Sequence, residues 1–207
     1  MPRVEMSGRY RLLRRMVVTA ARIAVGFECE GEERTPGSGP LIVAANHTRY
    51  LDPLFVCMAV PRRIQWMAKK EIFVFPFRGF FRFVGAFPVD RQAGGHSALR
   101  AGLRLLGEGW ALGIFPEGTH RTKGVSREAK SGAIMLAARS GAKILPVYLG
   151  PVPGPIARLR GARFRTYVGE PISVPRDLKG REAYQKAADE LLREIYRLPR
   201  EAEGRRR

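Results

Sequence analysis

Apolar and polar positions change period several times along the chain. Between Arg11 and Phe27 the spacing is helical. At about 100° per residue, Leu12, Leu13, Met16, Val17, Ala20, Ile23, Ala24 and Phe27 share one face, while Arg11, Arg14, Arg15 and Arg22 share the other. This predicts a basic amphipathic helix over 10–27. Two readings stay open for it: a helix packed on the core with solvated arginines, or one lying in a membrane interface with its arginines at anionic headgroups. Six Gly, Pro and Ser residues between Gly31 and Pro40 then predict a loop.

Short apolar runs and helical patterns alternate after that loop. Leu41–Ala45 reads as a buried strand. Asp52-Pro53 opens a helix running to about Val60, with Asp52 expected as N-cap and Pro53 at the first helical position. Strands are expected at 63–68, 86–89, 110–115, 144–149 and 163–168. Helices are expected at 97–107, at 127–140 with Gly141 as C-cap, and at 180–198. The aromatic segment 71–84 reads as short helices broken at Pro76 and Gly79. This alternation predicts a single α/β domain: a twisted, largely parallel or mixed sheet flanked by helices, with an N-terminal amphipathic helical segment. The expected division is 1–30 for that segment, 31–200 for the main domain and 201–207 for a disordered basic tail.

Composition narrows the partners more than the fold. The 207 residues are 45% apolar and carry a net charge of +18, which suits a folded domain facing nucleic acid, an anionic membrane or a phosphorylated substrate. The excess is spread out: six basic residues against one acidic in 1–25, nine against two in 62–104, and fourteen against eight in 151–207. Two cysteines exclude a disulfide scaffold, and with three scattered histidines they give no zinc-finger spacing. The longest uncharged stretch, Ile144–Ala157, contains four prolines and does not read as a bilayer-spanning helix. Arg22 interrupts the apolar run near the N-terminus, and no signal-peptide cleavage pattern follows. The expectation is a cytoplasmic protein that touches a membrane.

The nucleophile devices of common hydrolases and nucleotide enzymes are missing: there is no G-x-S-x-G, P-loop or G-x-G-x-x-G. That favours chemistry in which a substrate supplies the nucleophile. The strongest local candidate is Asn46-His47-Thr48-Arg49-Tyr50-Leu51-Asp52, between a strand end and a helix start. If 48–51 fold back as a turn, Asp52 can hold one imidazole nitrogen and leave the other as a base. The plainer reading leaves Asp52 a cap and His47 a strand-end residue. A second candidate, Phe115-Pro116-Glu117-Gly118-Thr119-His120-Arg121, also follows a strand, and its Thr119 and Arg121 can bind phosphate or hydroxyl. The third is Gly85 through Arg91, ending the most basic segment, and the fourth is Leu145-Pro146-Val147, which reads first as a core strand.

Taken in this order, the four pieces resemble the glycerolphosphate acyltransferase family, most closely its bacterial 1-acyl-sn-glycerol-3-phosphate acyltransferases. The blocks are N-H-x4-D at Asn46–Asp52, G-x-x-x-V-x-R at Gly85–Arg91, F-P-E-G-T at Phe115–Thr119 and apolar-Pro-Val at Leu145–Val147. Met67–Phe73 and Lys130–Ala133 are similar too, so the likeness covers roughly 40–170. One departure is His120, standing where relatives commonly carry Arg, with Arg121 one place later.

The resemblance implies transfer of an acyl group from a thioester to a lysophospholipid hydroxyl, giving phosphatidic acid. In this reading His47 is the base and Asp52 its orienting partner. Arg91, Lys69 and Arg121 are candidates for the acceptor phosphate, and Gly118 and Thr119 share that loop. Glu117 binds an acceptor hydroxyl or orients the loop, and Pro146 lines an acyl pocket or is structural. No resident cofactor and no metal are implied; acyl-CoA or acyl-carrier protein is a co-substrate. The implied partners are lysophospholipid, acyl thioester and an anionic membrane surface, with no nucleic acid. The implied location is the cytoplasmic face of the cell membrane, peripheral or monotopic, which favours the interfacial reading of the N-terminal helix. The alternatives are another acceptor alcohol in the same family, or a non-catalytic basic binding module. The apolar setting of Phe73, Phe75, Phe77, Phe80, Phe81 and Phe83 speaks against stacked bases.

Overall fold

A computed structural model of the chain describes residues 8–69, 85–89, 95–118 and 129–205. In chain order the elements are α1 (Gly8–Val25), β1 (Phe27–Glu30), β2 (Leu41–Ala45), α2 (Asp52–Ala59), β3 (Ile64–Lys69), β4 (Ala86–Val89), α3 (Gly95–Gly107), β5 (Ala111–Ile114), α4 (Gly132–Ser140), β6 (Lys143–Leu149), α5 (Pro155–Leu159), β7 (Phe164–Val168) and α6 (Arg181–Arg205). The seven strands form one sheet in the order β1-β7-β6-β2-β5-β3-β4. All neighbours are parallel except β6 and β7.

The sheet is covered on both faces, which is why β2 reads as an unbroken apolar run rather than an alternation. Leu41, Val43 and Ala45 join the core shared with α1 and α2. Ile42 and Ala44 join Leu112, Leu136, Ile144, Leu191 and Ile195 in the core beneath α3, α4 and α6. The strand ends of β2, β3, β4, β5 and β6 point the same way, so the loops after them gather at one edge.

Several expectations shift. The first helix stops at Val25, and Phe27–Glu30, expected within the N-terminal helical segment, instead pair with β7. Gly26 breaks the helix at a φ of 64°. α4 begins at Gly132 rather than 127, and residues 129–131 are not helical. Residues 127–128 and the expected broken helices of 71–84 lie outside the described residues. α6 continues to Arg205 with Ala202 buried, so 201–205 are helix rather than tail. The proline-rich stretch after β6 contains the five-residue helix α5, which the sequence reading did not anticipate.

The largest correction concerns which face of α1 packs. Val17, Val18, Ala21 and Val25 lie against the core. Arg14, expected on the cationic face opposite the apolar stripe, turns inward: it donates to the carbonyls of Cys57 (3.1 Å) and Met58 (2.6 Å) and pairs with Glu32 at 2.7 Å. It thereby satisfies carbonyls at the C-terminal end of α2. Of the apolar stripe read from the sequence, Leu12, Met16 and Ile23 stay in water, 62%, 61% and 75% exposed, whereas Val17 packs inward and Phe27 is buried. Leaving such side chains solvated forgoes roughly 1.5–3 kcal/mol each.

Candidate active site

His47 leaves the end of β2 two residues after Ala45. Its predecessor Asn46 is buried, and its amide works as one more rung of the sheet. Oδ1 accepts from the Leu149 N–H at 2.7 Å, and Nδ2 donates to the Leu149 carbonyl at 3.0 Å. This ties the end of β2 to the end of β6 and fixes where His47 begins.

Residues 48–51 do fold back. Asp52, wholly buried, aims one oxygen at three donors. Oδ2 lies 3.1 Å from His47 Nδ1 and accepts from the backbone N–H of Thr48 at 2.5 Å and of Arg49 at 2.7 Å. The expected capping role is therefore wrong: Leu51 is the N-cap of α2, Asp52 is its first residue, and the carboxylate looks back into the turn. Because a carboxylate only accepts, the pairing assigns the proton to Nδ1 and makes Nε2 the basic nitrogen of the ring. Asp52 Oδ1 is buried with no hydrogen-bond partner among the described residues.

The imidazole is also held through one face. It stacks on Phe115 (centroids 4.0 Å apart, planes 14° apart), and Phe115 stacks on Trp66 at 4.9 Å. Gly113 makes room for this pile, since a Cβ there would sit 2.5 Å from the Trp66 ring. Phe115 begins the second candidate loop, so the two candidates are one site. That loop is a tight turn, with Gly118 N–H donating to the Phe115 carbonyl at 2.9 Å and Lys130 N–H to the Pro116 carbonyl at 2.7 Å. Gly118 holds a φ of 79°, and a side chain there would run into Lys130. Glu117 points inward and accepts from the Tyr196 hydroxyl of α6 at 2.6 Å.

Comparisons with known proteins place the chain in a family. The family model described as Acyltransferase matches residues 26–150. A 1-acyl-sn-glycerol-3-phosphate acyltransferase of Bacillus subtilis is 33% identical over 150 residues, 71% of this chain and 74% of that protein. A protein of the same name from Streptococcus pneumoniae is 32% identical over 168 residues, 77% of this chain and 61% of its own length. The crystal structure of a 1-acyl-sn-glycerophosphate acyltransferase from Thermotoga maritima superposes with a TM-score of 0.68 at 22% identity, covering 94% of this chain and 84% of that one. The chain belongs to the acyltransferase family.

In this acyltransferase the other expected site residues are distributed unevenly. Lys69 ends β3 opposite Val89 of β4, at the same sheet edge as His47. Arg91, Thr119, His120 and Arg121 lie outside the described residues. Pro146 sits inside β6 opposite Ala44, and its carbonyl accepts from Gly169 N–H at 2.9 Å, a structural position in the sheet. Both thiols are set apart from the chemistry: burial pushes Cys29 and Cys57 up to about 11, so neither is a thiolate nucleophile at neutral pH. Among the described residues no cluster of three His, Cys, Asp or Glu side chains could hold a metal.

Sequence reasoning missed the parts that hold the site. Trp66 lay unremarked in an apolar strand, and Tyr196 in a helix 79 residues from its partner. Pattern along the chain carries no signal for either contact.

Proposed function

We propose that this acyltransferase moves an acyl group from a thioester, acyl-CoA or acyl-carrier protein, to the sn-2 hydroxyl of 1-acylglycerol-3-phosphate, forming phosphatidic acid. The observation that carries the reading is the buried Asp52 carboxylate bonded to His47 Nδ1 at the rim of a largely parallel sheet. The names of the relatives support the acceptor.

His47 Nε2 takes the proton of the acceptor hydroxyl as its oxygen attacks the thioester carbonyl. The resulting tetrahedral oxyanion collapses, the carbon–sulfur bond breaks, and the imidazolium returns the proton to the departing thiolate. Asp52 holds the tautomer and stabilises the imidazolium. The ester product and the free thiol leave with no covalent enzyme intermediate. Arg91, Lys69 and Arg121 are assigned to the acceptor phosphate, with Gly118 and Thr119 contributing backbone and hydroxyl contacts. Glu117, engaged by Tyr196, is assigned to orienting the loop.

α1 is assigned to an anionic membrane surface through Leu12, Met16 and Ile23, with Arg11, Arg15 and Arg22 at the headgroups. No helix among the described residues is long and apolar enough to cross a membrane. The proposed location is the cytoplasmic face of the cell membrane, and the basic surface serves lipid rather than nucleic acid.

An acceptor screen with one labelled acyl-CoA tests this reading. Label should enter 1-acylglycerol-3-phosphate well ahead of lysophospholipids with larger headgroups and of non-phosphorylated alcohols. Preference for a neutral alcohol would move the activity to another acceptor within the family.

A further inference from the structure

Among the described residues, α1 is one of two helices that leave large aliphatic side chains in water. α5 exposes 68% of Ile156 and 89% of Leu159. Its location is fixed by contacts. Arg158 Nη2 lies 3.5 Å from the carbonyl of Ile23, and a Cβ on Gly26 would sit only 3.0 Å from Arg158 Nε. α5 is thus joined to the last turn of α1, where Ile23 is also exposed.

The strand register says which end of the molecule this is. Phe27 faces Phe164 at the start of β1 and β7, and Leu149 at the end of β6 faces Thr166. The last turn of α1 and α5 therefore lie at the edge where β2 and β6 finish and His47 emerges. Tyr50 and Leu51, within the His47–Asp52 turn, are exposed at that same edge. Arg22 and Arg160, next in sequence to Ile23 and Leu159, are both exposed.

We propose that α5 is a second membrane-inserting element. Ile156 and Leu159 enter the acyl layer of an anionic bilayer beside Ile23, while Arg22 and Arg160 meet the headgroup phosphates. The inference rests on the reading of α1 as a membrane element and adds what that reading lacks. One interfacial helix leaves the domain free to roll about the helix axis. A second contact near the His47 edge fixes which edge faces the lipid that holds the acceptor.

The test uses the full chain and vesicles of phosphatidylcholine and phosphatidylglycerol. The double variant Ile156→Ser with Leu159→Ser should bind them about tenfold more weakly. Its apparent KM for vesicle-held 1-acylglycerol-3-phosphate should rise, while turnover of a short-chain monomeric acceptor stays at the wild-type level. In a second variant, Leu159→Trp, the added emission relative to the parent chain should shift blue on vesicles and be quenched by brominated acyl chains. Undiminished binding by the double variant, or a tryptophan at 159 that stays in water on bound protein, overturns the proposal and leaves α1 as the anchor. Failure of the parent chain to bind these vesicles overturns the membrane reading of α1 and this inference together. Loss of turnover on monomeric acceptor in the parent chain would instead strike the acyl-transfer reading.

Discussion

One carboxylate oxygen organises the site. Asp52 Oδ2 gathers the imidazole and two backbone N–H groups, so it both shapes the 48–51 turn and orients the His47 ring. Asp52→Asn separates these tasks. The amide oxygen can keep accepting from the turn, but the amide NH2 then occupies the position of Oδ1, which is buried without a partner. We expect a loss of about 1–3 kcal/mol in denaturant-induced unfolding from that unsatisfied donor. Turnover should fall further than this destabilisation explains, because the amide stabilises an imidazolium poorly. Turnover equal to the parent with unchanged stability would remove Asp52 from the mechanism. The contact of His47 with Asp52 was legible from their position between strand and helix together with the family resemblance, their spacing alone being a weak signal. The stack of Trp66 on Phe115 and of Phe115 on the imidazole was not, because ring stacking depends on how β3 and β5 lie side by side. The grip of Tyr196 on Glu117 was hidden for the same reason.

Among the elements, β2, β5 and β6 were readable because buried parallel strands leave short, nearly continuous apolar runs. α1 was readable as a helix but not in its orientation. Its packed face includes Arg14, which acts as a hydrogen-bond donor to α2 and not as a surface charge. β1 was missed because its four residues, FECE, carry two charges and pair along one edge only. The contacts between α1, β1 and α2 also carry a pH signature. Burial, the leading cause in each case, pushes Cys29 and Cys57 up to about 11 and Tyr10 up to about 12. The unfolded thiols ionise near 9.0 while the folded ones stay protonated, so above that pH the unfolded chain releases protons first. The stabilisation is complete below about pH 9 and is lost as pH rises through about 11. The thermal midpoint should therefore drop across this window, and Cys57→Ala should flatten the drop even though its cavity lowers stability at neutral pH. An equal slope in the variant would show that the Cys57 thiol is not its source.

At the scale of the molecule, the sheet order explains why separate motifs meet. β2 and β5 are adjacent and parallel, so the residues that follow them, His47 and Phe115, emerge together. β6 on the other side of β2 supplies Leu149 to hold Asn46. β7 and β1 reverse direction, which returns α5 and the end of α1 to that same edge. A domain built this way sets the His47 imidazole at one rim and exposed apolar side chains beside it, the arrangement that the proposed membrane-held acceptor requires. The central claim is that His47 takes the acceptor proton during acyl transfer. It is tested most directly by the rate of labelled phosphatidic acid formation from acyl-CoA and 1-acylglycerol-3-phosphate, in the parent chain and in His47→Ala. The account predicts a loss of at least about 10²–10⁴-fold in kcat, with the fold and vesicle binding intact. Turnover by His47→Ala at the parent rate would contradict it.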